Sequence, residues 1–395
     1  MKYAVLPILL ATAACATTHA STPQGEATLH QRTLTLDTHL DTPTYFGQSG
    51  WNFGERHSYE TDLAQVDLGR MDEGDLDGGF FVIYTAQGPL TPEGYTAAKA
   101  FAFKRLDEIQ TTFAKFPNRI ALATQASDAR RIDRAGKRFG YISIENSYPL
   151  GEDLSLLGEF YRRGVRMASP VHFRNNQFAD SATDKPKWNG LSPLGREWVA
   201  EMNRLGMVLD ASHASDAVLD QMIALSKTPV ILSHSGAKAI FDHPRNLDDV
   251  RIRKLAASGG AICANAAYLN TMRSTPERDA LSDKAENMAA LSPTERAEVV
   301  RKIRELDRTQ PVQDADFETY MRLVLHLIDV AGVDHVCFGA DWDGGGGVKG
   351  LEDIDALPKV TERLRAAGYS SADIEKMWSG NVLRLLRIAE ERKGR

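Results

Sequence analysis

Eight apolar, strand-like runs alternate with amphipathic helical segments along this chain, and that alternation restricts the fold more than any single motif. The runs are LTLDTHLD (34–41), GGFFVIYT (78–85), GYISIEN (140–146), VRMASPVH (165–172), MVLDASH (207–213), PVILSHS (229–235), GGAICANAA (259–267) and HVCFGADWDGG (335–345). Several are nearly continuous in apolar residues, as strands covered on both faces are. Between them, TAAKAFAFKRLDEIQTTFAKF places apolar residues at helical spacing. SPLGREWVAEMNRLG opens on serine and proline and closes on glycine, the expected boundaries of a helix. SDAVLDQMIALSK and LDDVRIRKLAASGG follow the same pattern. Alternating β and α units imply a parallel sheet, and eight of them fit a closed barrel better than an open sheet. The expected fold is therefore α/β, a single (β/α)8 TIM barrel. One stretch, from Asn270 to about Asp314, is charged and helical throughout. It predicts a helical insertion between strands 7 and 8, either a solvated surface layer or a lid or dimer contact.

With 395 residues, 43% hydrophobic and 25% charged, the chain can bury a large core as one barrel unit. A net charge of -6 with no long basic run argues against a nucleic-acid surface. The N-terminus, MKYAVLPILLATAACATTHA, reads as a secretory signal, with cleavage after Ala16 or Ala20. The expected organisation is a signal peptide over 1–20 and a barrel domain over 21–395, exported to the periplasm or outside the cell. Cys15 leaves open a lipoprotein anchor, although TAAC lacks the usual upstream leucine. Cys263 and Cys337 sit in apolar runs, which suits buried free thiols; a single bridge stays open in an oxidising compartment.

In such barrels the chemistry gathers where the strands end. The first run supplies His39 and Asp41, two residues apart and so on one side of a strand. The third ends in Glu145, the fourth in His172, the fifth in His213, the sixth in His234 and the eighth in Asp341. Any one of these could be a satisfied polar strand end. Seven converging on one face point instead to a metal-pair site, for which imidazole plus carboxylate suits zinc. Glu145 lies between the two ligand sets and could bridge ions about 3.5–4 Å apart, with His213 and His234 completing the second. Asp341 is then left to manage a proton. Asp37 is read as a group that could brace His39, and Asp210 either as one that could orient a neighbour or as a plain polar residue of the strand. Asp343 and the run Gly344 to Gly347 read as a tight turn.

These residues resemble the membrane (renal) dipeptidases, peptidase family M19 of the metal-dependent amidohydrolases. The carrying motifs are DTHLD, QVDLGRMDEGDLDGGFF, SIEN and GVRMASPVHFRNNQFADS, followed by GLSPLGREWVAEMNRLGMVLDASHAS, VILSHSGAKAIFDHPRNLDD and HVCFGADWDGG. The resemblance spans about Leu34 to Leu386. It implies two zinc ions per chain, one held by His39, Asp41 and Glu145, the other by Glu145, His213 and His234. It further implies Asp341 as the catalytic aspartate, His172 as a substrate contact near the scissile carbonyl, and Arg245 as the binder of the substrate carboxylate. A homodimer and a small dipeptide substrate are implied in the same way. The chain departs from the family where Asn146 and Ser147 follow the bridging glutamate in place of glycines, and in MASPVH before His172.

The expected function is that of a secreted binuclear-zinc dipeptidase acting through a metal-bridged hydroxide. Its competitors are another amide or β-lactam hydrolase on the same scaffold, and a catalytically silent metal-binding or maturation protein.

Overall fold

The computed structural model describes residues 27–286 and 288–394; the expected signal segment and Cys15 lie outside them. Eight parallel strands form the core: β1 (Leu36–Leu40), β2 (Gly78–Tyr84), β3 (Arg138–Glu145), β4 (Val165–Ala168), β5 (Val208–Leu209), β6 (Ile231–Ala237), β7 (Ala261–Ala264) and β8 (Val336–Phe338). Continuous ladders join β1 through β5 in order, and β6 through β8 in order. Two single parallel bridges close the ring, Asp210 to Ile231 between β5 and β6 and Leu40 to Trp342 between β8 and β1. At these seams Ala211 N–H donates to Ile231 O and Asp41 N–H donates to Trp342 O, each at 2.8 Å. The result is the expected (β/α)8 barrel, closed with two thin seams.

Each seam carries a buried aspartate. Asp37 accepts from the N–H of His39 at 2.8 Å and, across the β1/β8 seam, from Ala340 N–H at 3.1 Å. Asp210 accepts from Ser212 N–H at 2.9 Å and, across the β5/β6 seam, from Ser233 N–H at 3.0 Å. Carboxylates thus replace ladder hydrogen bonds where regular pairing has run out, which keeps buried N–H groups satisfied.

Strand composition follows from burial on both faces: every residue of β1, β6, β7 and β8 is buried. One apolar cluster gathers residues from all eight strands, among them Leu36, Phe80, Tyr141, Met167, Val208, Ile231, Cys263 and Cys337. Only the barrel lumen brings eight strands together, and Val382, Leu383, Leu385, Leu386 and Ala389 of helix Asn381–Arg392 join it there. Contrary to the expectation of free thiols, Cys263 and Cys337 are disulfide-bonded. They are register partners on adjacent strands, 4.1 Å apart at Cα, so parallel pairing sets them face to face.

The outer helices form where their caps place them. In Pro193–Leu205, Ser192 caps the first turn and Gly206 closes it in the left-handed region at φ 73°. Ser215 and Asp248 cap Asp216–Leu225 and Asp249–Ala257 in the same way. Between β7 and β8 run helices Pro276–Glu286 and Pro293–Thr309. They share a small core of Leu281, Met288, Val299, Val300 and Leu306 with Leu63 against it. Arg304 donates to the carbonyls of Tyr59 and Asp62, which docks this layer onto the segment that follows β1. Among the described residues no helix is long and apolar enough to cross a membrane.

Candidate metal centre

All seven candidate residues from the strand ends meet at the C-terminal mouth of the barrel, but not all on strands. His39, Glu145 and His234 lie within β1, β3 and β6, whereas Asp41, His172, His213 and Asp341 sit in the loops just beyond β1, β4, β5 and β8. The expected strands run too long there, because regular pairing stops at Ala168, Leu209 and Phe338 and the backbone then turns. His213 and Asp341 take φ values of 66° and 67°, in the left-handed region that non-glycine residues seldom occupy. Such turns cost free energy and concentrate at functional sites. Asn146 has φ 67° as well, in the region that glycine enters most freely and asparagine more readily than most residues. Its amide gives something in return, donating to Thr85 O and accepting from Tyr148 N–H and Asn176 Nδ2.

Glu145 is at the centre. Its Oε2 lies 3.5 Å from His39 Nε2, while Oε1 lies 3.0 Å from His213 Nε2, 3.4 Å from His234 Nε2 and 3.7 Å from His172 Nε2. His39 Nε2 is also 3.3 Å from Asp41 Oδ2 and 3.9 Å from Asp341 Oδ1. Three overlapping triads have ligand atoms within 4.8 Å of one another: His39, Glu145 and His234; Glu145, His172 and His213; His39, Asp41 and Asp341. His39 Nε2 and His213 Nδ1 are buried without a hydrogen-bond partner. His213 Nε2 and His234 Nε2 face each other at 2.8 Å. Four imidazoles and three carboxylates so close together, with few hydrogens to share, form a donor set that suits cations.

The electrostatics divide the donor set: His213 and His234 are held neutral, whereas His39 must release a proton to bind a cation. Burial holds His213 and His234 well below the usual histidine range, with Arg245 adding to the effect in both. They are therefore neutral, as metal ligands must be. Burial opposes protonation of His39 too, but Glu145 and Asp41 outweigh it and raise its pKa well above normal. Burial lifts Asp341 to about 7, Asp41 and Glu145 adding to the rise against His39. Burial takes His172 down to about 4.

Arg245 is 3% exposed and donates from Nη2 to His234 O at 3.0 Å, while its Nε has no partner. No carboxylate of the described residues is within ion-pairing distance of it. A two-residue strand, Asn246–Leu247, pairs with Gly236 and Ala237 at the end of β6 and so seats Arg245 beside His234. Tyr268, which the sequence did not single out, has its ring 5.7 Å from the guanidinium. His172 is flanked by the rings of Tyr84 and Phe173, centroids 4.9 and 4.1 Å away, both unusually exposed for aromatic residues.

The turn after β8 does more than reverse the chain. Gly344 and Gly346 N–H donate to Asp341 O, and Asp343 accepts from Thr42 Oγ1 and Gln65 N–H, each at 2.6 Å. A Cβ on Gly344 would collide with Asp41 Oδ2 and Asp341 Oδ1. Gly344→Ala should therefore leave the fold intact by circular dichroism yet displace both carboxylates, lowering kcat/KM by about 10- to 100-fold, as misplacement near an ångström does. Activity within twofold of the parent would show that these carboxylates tolerate the shift.

Ligand-type side chains ringing the C-terminal mouth of a (β/α)8 barrel mark the candidate metal centre of an enzyme. Comparison with known proteins narrows the class. Residues 24–395 match the family described as membrane dipeptidase, peptidase family M19. The dipeptidase tcpJ of Claviceps purpurea is 31% identical over 344 residues, 85% of this chain and 72% of that protein. A probable dipeptidase, PvdM, from Pseudomonas aeruginosa superposes with a TM-score of 0.78 at 31% identity, covering 92% of this chain and 97% of that one. A crystal structure of a dipeptidase described as a metallopeptidase of family M19 superposes at 0.69 with 26% identity, covering 90% and 98%. The chain belongs to the membrane dipeptidase family M19 and is a metallo-dipeptidase.

Proposed function

We propose that the chain cleaves the peptide bond of dipeptides at a centre of two zinc ions bridged by Glu145. The observation that carries this reading is the division of the Glu145 carboxylate, Oε2 toward His39 and Oε1 toward His213 and His234. His39 and Asp41 would share one ion with Glu145, and His213 and His234 the other. Ions held there would supply Lewis acidity toward the scissile carbonyl and would lower the pKa of a water.

The chain's own residues do the rest. Arg245, a buried cation without a carboxylate partner, takes the substrate's terminal carboxylate and fixes the distance to the cut bond. His172 is held neutral by burial and hydrogen-bonds the carbonyl oxygen as negative charge develops on it. Asp341 accepts the proton of the attacking water and passes it to the departing amine, so the same group acts as base and then acid. Export is part of the proposal: the N-terminal segment and the Cys263–Cys337 disulfide both suit an oxidising compartment. A homodimer and a lipid anchor at Cys15 rest on the family resemblance and on the N-terminal sequence alone.

Arg245→Met tests the substrate assignment. A charge-assisted hydrogen bond contributes about 1.5–3 kcal/mol, so KM for dipeptides should rise about 10- to 100-fold. Turnover of amides lacking a free carboxylate should change little. Equal losses on both substrate types would reject the carboxylate clamp and favour a general amide or β-lactam hydrolase.

A further inference from the structure

His234 and His213 face the same oxygen of Glu145, but their outer nitrogens differ. His213 Nδ1 is buried without a partner, whereas His234 Nδ1 lies 2.9 Å from Ser233 Oγ. Ser233 Oγ donates in turn to Asp210 Oδ2 at 2.6 Å. Asp210 is anchored by the N–H groups of Ser212 and Ser233, and all of these residues are buried. Proton bookkeeping then leaves one arrangement. A serine hydroxyl has a single hydrogen, and Asp210 takes it. Ser233 Oγ can therefore only accept from His234, which puts the imidazole hydrogen on Nδ1 and turns the Nε2 lone pair toward Glu145 Oε1.

We propose that Asp210 and Ser233 form a positioning relay that fixes the tautomer and ring orientation of His234 for metal binding. The inference rests on the two-zinc reading above, in which His234 ligates through Nε2. Metal-binding histidines commonly hand their second N–H to a carboxylate or carbonyl. Here a serine stands between, so the direction of its hydroxyl sets the ligand. The aspartate that orients the relay is also the one that closes the β5/β6 seam. Seam closure and ligand geometry therefore depend on a single side chain.

The test uses the full-length protein and zinc. In zinc-loaded protein carrying 15N-labelled histidine, NMR should place the His234 proton on Nδ1. Ser233→Ala should weaken one of the two zinc ions about 10- to 100-fold in chelator competition and leave the other within twofold. Asp210→Asn keeps the shape, but its amide would donate to Ser233, reverse the hydroxyl and drive the His234 proton onto Nε2. It should weaken the same ion at least as much, as an aspartate-to-asparagine change does where it imposes the wrong tautomer. Ser233→Thr, which retains the hydroxyl, should recover most of the affinity lost in Ser233→Ala. A His234 proton on Nε2 in the parent protein overturns the relay, as does zinc affinity within twofold of the parent in both the alanine and asparagine variants. If the parent itself binds fewer than two zinc ions, the two-zinc reading fails, while the NMR result still decides the tautomer.

Discussion

Glu145→Gln should yield a folded protein that holds neither zinc ion and has lost at least about a thousandfold in kcat/KM. The carboxylate is the one group that faces both halves of the centre, within 3.5 Å of His39 on one side and 3.0 Å of His213 on the other. Glutamine preserves the volume but removes the charge and turns an NH2 donor toward nitrogens that need a cation. Lewis-acid assistance supplies several kcal/mol, and each ~1.4 kcal/mol is a factor of ten in rate. Elemental analysis alongside dipeptide turnover reads both effects. A variant that retains one full equivalent of zinc would show that the two ions do not depend on a common ligand, and the bridge would have to be abandoned.

Asp341→Asn should behave oppositely: zinc content unchanged, KM within a few-fold, kcat down by about 10²- to 10⁴-fold, the usual contribution of a general acid–base group. The competing role is that of a ligand, because Asp341 Oδ1 is 3.9 Å from His39 Nε2 and joins His39 and Asp41 in one of the three triads. Metal analysis separates the two. Loss of zinc in Asp341→Asn would make it a ligand; retained zinc with full activity would remove it from the chemistry altogether.

Much of the architecture could be read from the sequence because the strands are buried on both faces and the helices carry their own punctuation. The serine–proline start and glycine stop of Pro193–Leu205 are sequence signals with a local cause, and the structure places the helix between them. The convergence of His39, Asp41, Glu145, His172, His213, His234 and Asp341 was legible for a different reason. A closed parallel barrel sends the C-terminal ends of its strands to one rim whatever their exact length. What escaped was anything set by backbone path or cross-strand register. Small and polar residues follow Leu209 (Asp210, Ala211, Ser212) and Phe338 (Gly339, Ala340), and they carry no local pattern that shows His213 and Asp341 to lie on left-handed turns. The Cys263–Cys337 bond needs the register of β7 against β8, which no local pattern encodes. Asn246–Leu247 is too short to show a period, yet it seats Arg245. Gly344 read as a turn residue, and only the assembled site shows that its missing side chain leaves room for two carboxylates.

The central claim is a pair of ions working as one unit in dipeptide hydrolysis. Titrating zinc into metal-stripped protein while following turnover of a dipeptide tests it most directly. Activity should rise to its plateau at two equivalents of zinc per chain, with little turnover before the second ion enters. Full activity at one equivalent, with no further gain from the second, would contradict it.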